Sequence, residues 1–173
     1  MGPVTCVIWL WTFVGLAVSV PGAMALKGIS PVLISKVIPL PAYIPAGLDP
    51  ALRTVSQYRE LMGLETANVW GICALIWMLM FFNTMGEELW WRGYIYPRQE
   101  LAHGTKTWII HFAMWTLFHV FEYFRWLEII MVSPPLSYIT HRTRSNWPAI
   151  LIHGMRNLFD MAQLTLIVFG ILV

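Results

Sequence analysis

The segment NVWGICALIWMLMFFNTMGEELWWRGYIY, residues 68–96, decides the fold. Its first part is apolar and carries no charge, as expected of a helix that enters a bilayer core. Two carboxylates and a guanidinium, Glu87, Glu88 and Arg92, then follow within GEELWWRGY, residues 86–94. At about 1.5 Å per residue the whole segment is longer than a bilayer core of about 30 Å, so the helix is expected to tilt or bend. Charge in such a place requires a reason, because an intramembrane ionisable group is costly unless it faces a bundle interior or an aqueous cavity.

The rest of the chain has the same character. Of 173 residues, 58% are hydrophobic and only 12% charged, with ten Trp and a mean hydropathy of +0.63. Soluble domains of this size rarely reach that balance, and the expected class is all-α, a polytopic transmembrane helix bundle. At about twenty residues per crossing the length allows five to six spans and no separate soluble domain. A net charge of +2, spread along the chain and never gathered into a stripe, argues against nucleic acid as a partner and leaves membrane lipids. Cys6 and Cys73 lie in apolar runs without CxxC spacing, which argues against a redox motif or a cysteine zinc site.

Residues 1–66 read as transmembrane and interfacial segments, and residues 67–173 as the core of one integrated domain. Val4 to Ala25 is long enough to span; it ends in AMA, a small-residue pattern of signal cleavage, but no Lys or Arg precedes it, so a retained helix is expected. Pro31, Pro39, Pro41 and Pro45 imply a broken, interfacial or re-entrant stretch after it. Asp49 and Pro50 signal the start of an amphipathic helix over Ala51 to Gly63. PRQELAHGTK, residues 97–106, reads as a polar loop. Beyond it come an apolar segment from Thr107 to Tyr123, a turn near Arg125, a second apolar segment interrupted by Pro134 and Pro135, the basic loop HRTRSN at 141–146, and a final helix from Trp147 to Val173. Two crossings separate the basic loops, which puts both on one side, cytoplasmic by the positive-inside rule.

Spacing sorts the polar residues left in these helices. Glu88 and Arg92 are four apart, share a helix face and can pair. Glu87 is rotated by about 100° from Glu88 and has no basic residue at the matching position, so it is the freer carboxylate. His153 and Asn157 present an imidazole and an amide on one face, while Arg156 and Asp160 can neutralise each other. His111 and His119, taken singly, read as packing residues of aromatic-rich helices, Glu122 joins them on that span, and charges near a helix end serve as interfacial anchors. A carboxylate pair, an imidazole and a His/Asn face on three spans nevertheless form a set sufficient to activate water and stabilise an oxyanion.

The order of motifs carries a resemblance. EELWWR at 87–92, WTLFH at 115–119 and HGMRN at 153–157 resemble the EExxxR, FxxxH and HxxxN signatures of the CAAX protease and bacteriocin-processing (Abi) family of intramembrane endopeptidases, with Trp115 where the family has Phe. The similarity extends over about residues 70 to 160, including RTRSNWPAILIHGMRN as the basic turn and start of the last helix. The resemblance implies a catalytic core over 67–173 with an intramembrane active-site cavity, acting on a membrane-associated or lipidated peptide. It further implies that Glu87 and His119 activate a water, that His153 and Asn157 stabilise the oxyanion, and that Glu88 and Arg92 support them. No cofactor is expected. Zinc held by Glu87, His119 and His153 is the alternative, disfavoured because HExxH spacing is absent and Asn157 is a poor zinc ligand. A non-proteolytic immunity or scaffold protein of the same fold is the alternative function.

Overall fold

The computed structural model describes residues 6–39, 69–169 and 171, and these are helical almost throughout. The amphipathic helix expected over Ala51 to Gly63, the prolines at 41 and 45 and the boundary at 66 and 67 lie outside the described residues.

Helix α1, Cys6–Lys27, runs unbroken through the AMA stretch and through Pro21. It is apolar on all sides, so polarity does not orient it; small side chains do. Gly15, Ser19 and Ala23, four residues apart, are buried against α6 (Trp126–Thr143) and α7 (Trp147–Val168), the pattern by which membrane helices approach closely. A Cβ added at Gly15 would stand 2.3 Å from Cδ1 of Ile152 and 2.6 Å from Cδ1 of Ile139. Gly15→Leu is therefore expected to lower the unfolding midpoint, by about 1–3 kcal/mol of stability, as read by thermal unfolding in detergent. At Gly28, where nothing lies within 4 Å, no such clash exists.

After Gly28 comes the short α2, Ile29–Ser35, with Pro31 in its first turn, where a missing N–H costs little. Ser30 donates to the Phe124 carbonyl at 2.8 Å and accepts from the Leu127 N–H at 3.3 Å, so α2 satisfies a free donor in the first turn of α6.

Helix α3, Val69–Glu88, does not end at the charged stretch. It passes through a π-helical turn, Leu89–Ile95, directly into α4, Tyr96–His103. Within the segment expected to tilt or bend, this turn is an i→i+5 bulge, a feature known to re-aim helices. The polar loop expected at 97–106 is instead mostly helical. Pro97 sits in the first turn of α4, where its missing N–H is not needed, and the helix ends at Gly104 with φ 55°, a conformation glycine adopts freely.

α5, Thr107–Phe118, leads through a tight 3-10 segment, His119–Arg125, into α6. The interruption expected at Pro134 and Pro135 is absent: both lie inside α6. They withhold two adjacent N–H donors, yet their fixed φ suits a helix, and α6 is held on several sides by α1, α5 and α7 through buried Val132, Ser133 and Leu136. Ser133 also donates to the Phe112 carbonyl at 3.1 Å, binding α6 to α5.

α3 and α7 run antiparallel, and their cross-links keep one register: Trp77 to Thr165 at 3.0 Å, Asn157 to Thr84 at 2.8 Å and His153 to Glu88 at 2.8 Å. α6 ends on Arg144 in the left-handed region, φ 54°, with its guanidinium paired to Glu100 of α4 and His141 Nδ1 3.4 Å from the same carboxylate. Residues 97–106 and 141–146 thus meet at one end of the bundle.

Polarity is inverted relative to a soluble domain. Phe13, Phe81 and Phe82 are each more than 60% exposed, whereas Thr12, Ser19, Glu88, Arg92 and Glu128 are at most 2% exposed. Among the described residues, one helix, α1, meets the length and apolarity required to cross a membrane.

Candidate active site

The charged stretch divides as its helical geometry dictates. Glu88 is fully buried, and its Oε1 accepts from Arg92 Nη1 at 2.9 Å and from His153 Nδ1 at 2.8 Å. The expected Glu88 and Arg92 pair is present, and it holds His153 as well. The Arg92 guanidinium lies 4.5 Å over the ring of Trp115, which adds a cation–π contact. Asn146, from the basic loop, donates to the Glu88 backbone carbonyl at 2.8 Å, at the entrance to the π turn. A π turn disturbs the regular i→i+4 ladder there, so an outside donor is useful at that point.

Glu87 points elsewhere. Its Oε1 accepts from Asn83, one turn earlier, at 2.9 Å, and its Oε2 is buried with no hydrogen-bond partner among the described residues. That oxygen lies 3.8 Å from His119 Nε2, too far for a direct hydrogen bond but within one small region. Nδ1 of His119 is 2.8 Å from the Trp115 carbonyl, which can only accept, so Nδ1 carries a proton and Nε2 is the nitrogen turned towards Glu87. The His119 carbonyl in turn accepts from the Trp126 indole at 3.1 Å, fixing the backbone where α5 passes into the 3-10 segment.

The ring of Trp115 packs against both imidazoles, with centroids 4.4 Å from His119 and 5.8 Å from His153, so one large aromatic contacts both the Glu87 and His119 pair and the Glu88 and His153 pair. Asn157 does not share a partner with His153; it donates to Thr84 at 2.8 Å, one turn further along the same interface. One amide N–H of Asn157 remains beyond that bond.

The other candidates lie apart. His111 bonds Gln99 through Nδ1 at 2.6 Å. Arg156 pairs with Asp160 as expected, but within a wider network: Arg156 Nη2 to Glu128 at 2.8 Å, Arg125 to Glu122 at 3.0 Å and to Glu128 at 3.3 Å, and Lys27 to Asp160 at 2.7 Å. Three cations and three carboxylates alternate, so the network is self-neutral and ties α1, α6 and α7 to the segment that begins with His119.

Sequence reasoning passed over Asn83, Thr84, Asn146 and Glu128. Asn83 and Thr84 had a signal, a spacing of four before Glu87 and Glu88. Asn146 had none, because its partner is 58 residues away in sequence; Glu128 lies three from Arg125, a local signal, but its bond to Arg156 spans 28 residues.

As to zinc, His153 bonds Glu88 through Nδ1, which leaves its Nε2 available, and among the described residues no three His, Cys, Asp or Glu side chains gather as a metal site. No step is routed through a metal.

Residues 69–159 match the family model described as Type II CAAX prenyl endopeptidase Rce1-like. Comparisons with curated proteins and with solved structures give no match. The matched stretch covers more than half of the 173 residues and contains every side chain of the Glu87 and Glu88 centres, including the three motifs that carried the resemblance. With that match, on an all-helical fold, the chain belongs to the Rce1-like type II CAAX prenyl endopeptidases, a family of membrane-embedded proteases.

Proposed function

We propose that the protein is an intramembrane endopeptidase that hydrolyses a peptide bond in a membrane-associated or lipidated substrate, without a metal. The observation that carries this reading is the buried Oε2 of Glu87, without a hydrogen-bond partner among the described residues, 3.8 Å from His119 Nε2. A water between these two atoms donates a proton to Glu87, and His119 shares it. The oxygen attacks the scissile carbonyl carbon, the C–N bond breaks, and the proton passes from Glu87 to the leaving amine. The oxyanion is stabilised by the second N–H of Asn157 and by the imidazole of His153, which Glu88 holds at Nδ1. Arg92 compensates Glu88, so this side of the site keeps its charge balance while the substrate turns over.

The inverted polarity of the bundle supports an integral, multi-pass arrangement of five to six spans. The meeting of residues 97–106 and 141–146 at one end supports a cytoplasmic placement for both.

Purified protein in proteoliposomes is expected to cut a lipid-anchored or prenylated reporter peptide, and His119→Ala is expected to slow the cut by about 100-fold or more. A strong chelator should leave the rate unchanged. Equal rates for wild type and variant overturn the reading, and loss with chelator that zinc restores overturns the metal-free mechanism.

A further inference from the structure

Asn157 has two amide N–H groups and spends one on Thr84 Oγ1, at 2.8 Å. The two share one planar nitrogen, so whatever holds the first restricts the direction of the second. An asparagine without such a partner turns its amide freely, because χ2 is a broad torsion, whereas a donor aimed at developing charge is effective only when its direction is set beforehand.

Thr84 is built to hold it. On α3 it is 6% exposed, and its β-branched side chain is stiff at χ1. A Cβ added at Gly154 would stand 3.8 Å from Thr84 Cγ2, so the methyl as well as the hydroxyl is seated against α7. The residue before it, Asn83, donates to Oε1 of Glu87 at 2.9 Å. One turn of α3 thus refers the carboxylate of Glu87 and the amide of Asn157 to the same stretch of backbone, although Asn157 belongs to another helix. A second polar bond joins α3 to α7, Trp77 Nε1 to Thr165 Oγ1 at 3.0 Å. Polar side chains commonly tie membrane helices together, and this bond, about two turns beyond Asn157, ends on no group of the proposed chemistry. We infer that Thr84 is a positioning residue, whose hydroxyl holds one N–H of Asn157 so that the other meets the developing oxyanion. The role rests on the proposed hydrolysis.

The reporter assay on the full chain in proteoliposomes tests it. Thr84→Val keeps the shape and removes the acceptor; it is expected to lower kcat about tenfold with KM unchanged, because an oxyanion contact is made in the transition state and not before. Thr84→Ser keeps the hydroxyl and is expected to recover most of the rate. Thr165→Val removes the other acceptor between α3 and α7 and is expected to leave kcat unchanged. In an Asn157→Ala background, Thr84→Val is expected to lower kcat no further, since the group it acts through is gone. An unchanged kcat in Thr84→Val, an equal fall in Thr165→Val, or a further tenfold fall in the Asn157→Ala background overturns the positioning role and leaves the protease reading in place. A wild type that cleaves nothing overturns the protease reading, and this role with it.

Discussion

Glu87→Gln is expected to slow reporter cleavage by about 1000-fold or more while leaving the unfolding temperature essentially unchanged. The two halves of this result have separate causes. Folding is spared because glutamine has nearly the same shape. Its carbonyl oxygen still accepts from Asn83, and its amide N–H can donate to His119 Nε2, which Glu87 faces. Catalysis is lost for the same reason: an amide in place of a carboxylate takes no proton from water, and the new donor occupies the position where water would bridge to His119. The variant also separates rival functions. A non-proteolytic immunity or scaffold protein of this fold relies on surface and lipid contacts, so the variant would protect or recruit as well as the wild type does. Cleavage of the anchored reporter, measured beside the melting curve of the same sample, decides between them. An equal rate at equal stability would remove Glu87 from the chemistry.

The parts of this site that were legible in the sequence are those carried by a single helix. The four-residue spacing of Glu88 and Arg92 fixes their pairing, and the rotation of about 100° between adjacent residues turns Glu87 towards a different neighbour. The same spacing places Asn83 under Glu87 and Thr84 under Glu88, but neither is charged, and composition draws the eye to charge. What a chain-local rule does not contain is tertiary contact. Asn146 reads as part of a basic loop, yet it donates to the Glu88 carbonyl; Glu128 is three from Arg125 on one segment, but its bond to Arg156 crosses to another helix. Two elements were misread for physical reasons of the same kind. α4 has no apolar stripe to betray it, with Leu101 91% exposed, so residues 97–106 look like loop. Pro134 and Pro135 break an isolated helix by their intrinsic preference, but α6 is packed against three other helices and continues through both.

Glu88→Leu should be the most destabilising substitution in the site, lowering stability by about 3–5 kcal/mol. The carboxylate is fully buried and its Oε1 serves two donors, the Arg92 guanidinium at 2.9 Å and the His153 imidazole at 2.8 Å. Leucine fills a similar volume, so the loss does not come from a cavity. It comes from a guanidinium left buried without a counter-ion, together with an imidazole N–H left without an acceptor. The contact of Arg92 with the Trp115 face at 4.5 Å compensates only a fraction of this, on the order of 1–2 kcal/mol. If the unpaired charge is the cause, removing it should restore part of the stability. The double variant Glu88→Leu, Arg92→Leu is therefore expected to unfold at a higher temperature than Glu88→Leu alone, although it has lost one more native side chain. His153, with no partner at Nδ1 in either variant, should keep both below wild type. Thermal unfolding of the three proteins in one detergent reads the order directly. A double variant less stable than the single one would mean that Glu88 acts through packing, and that the ion pair is incidental to the fold.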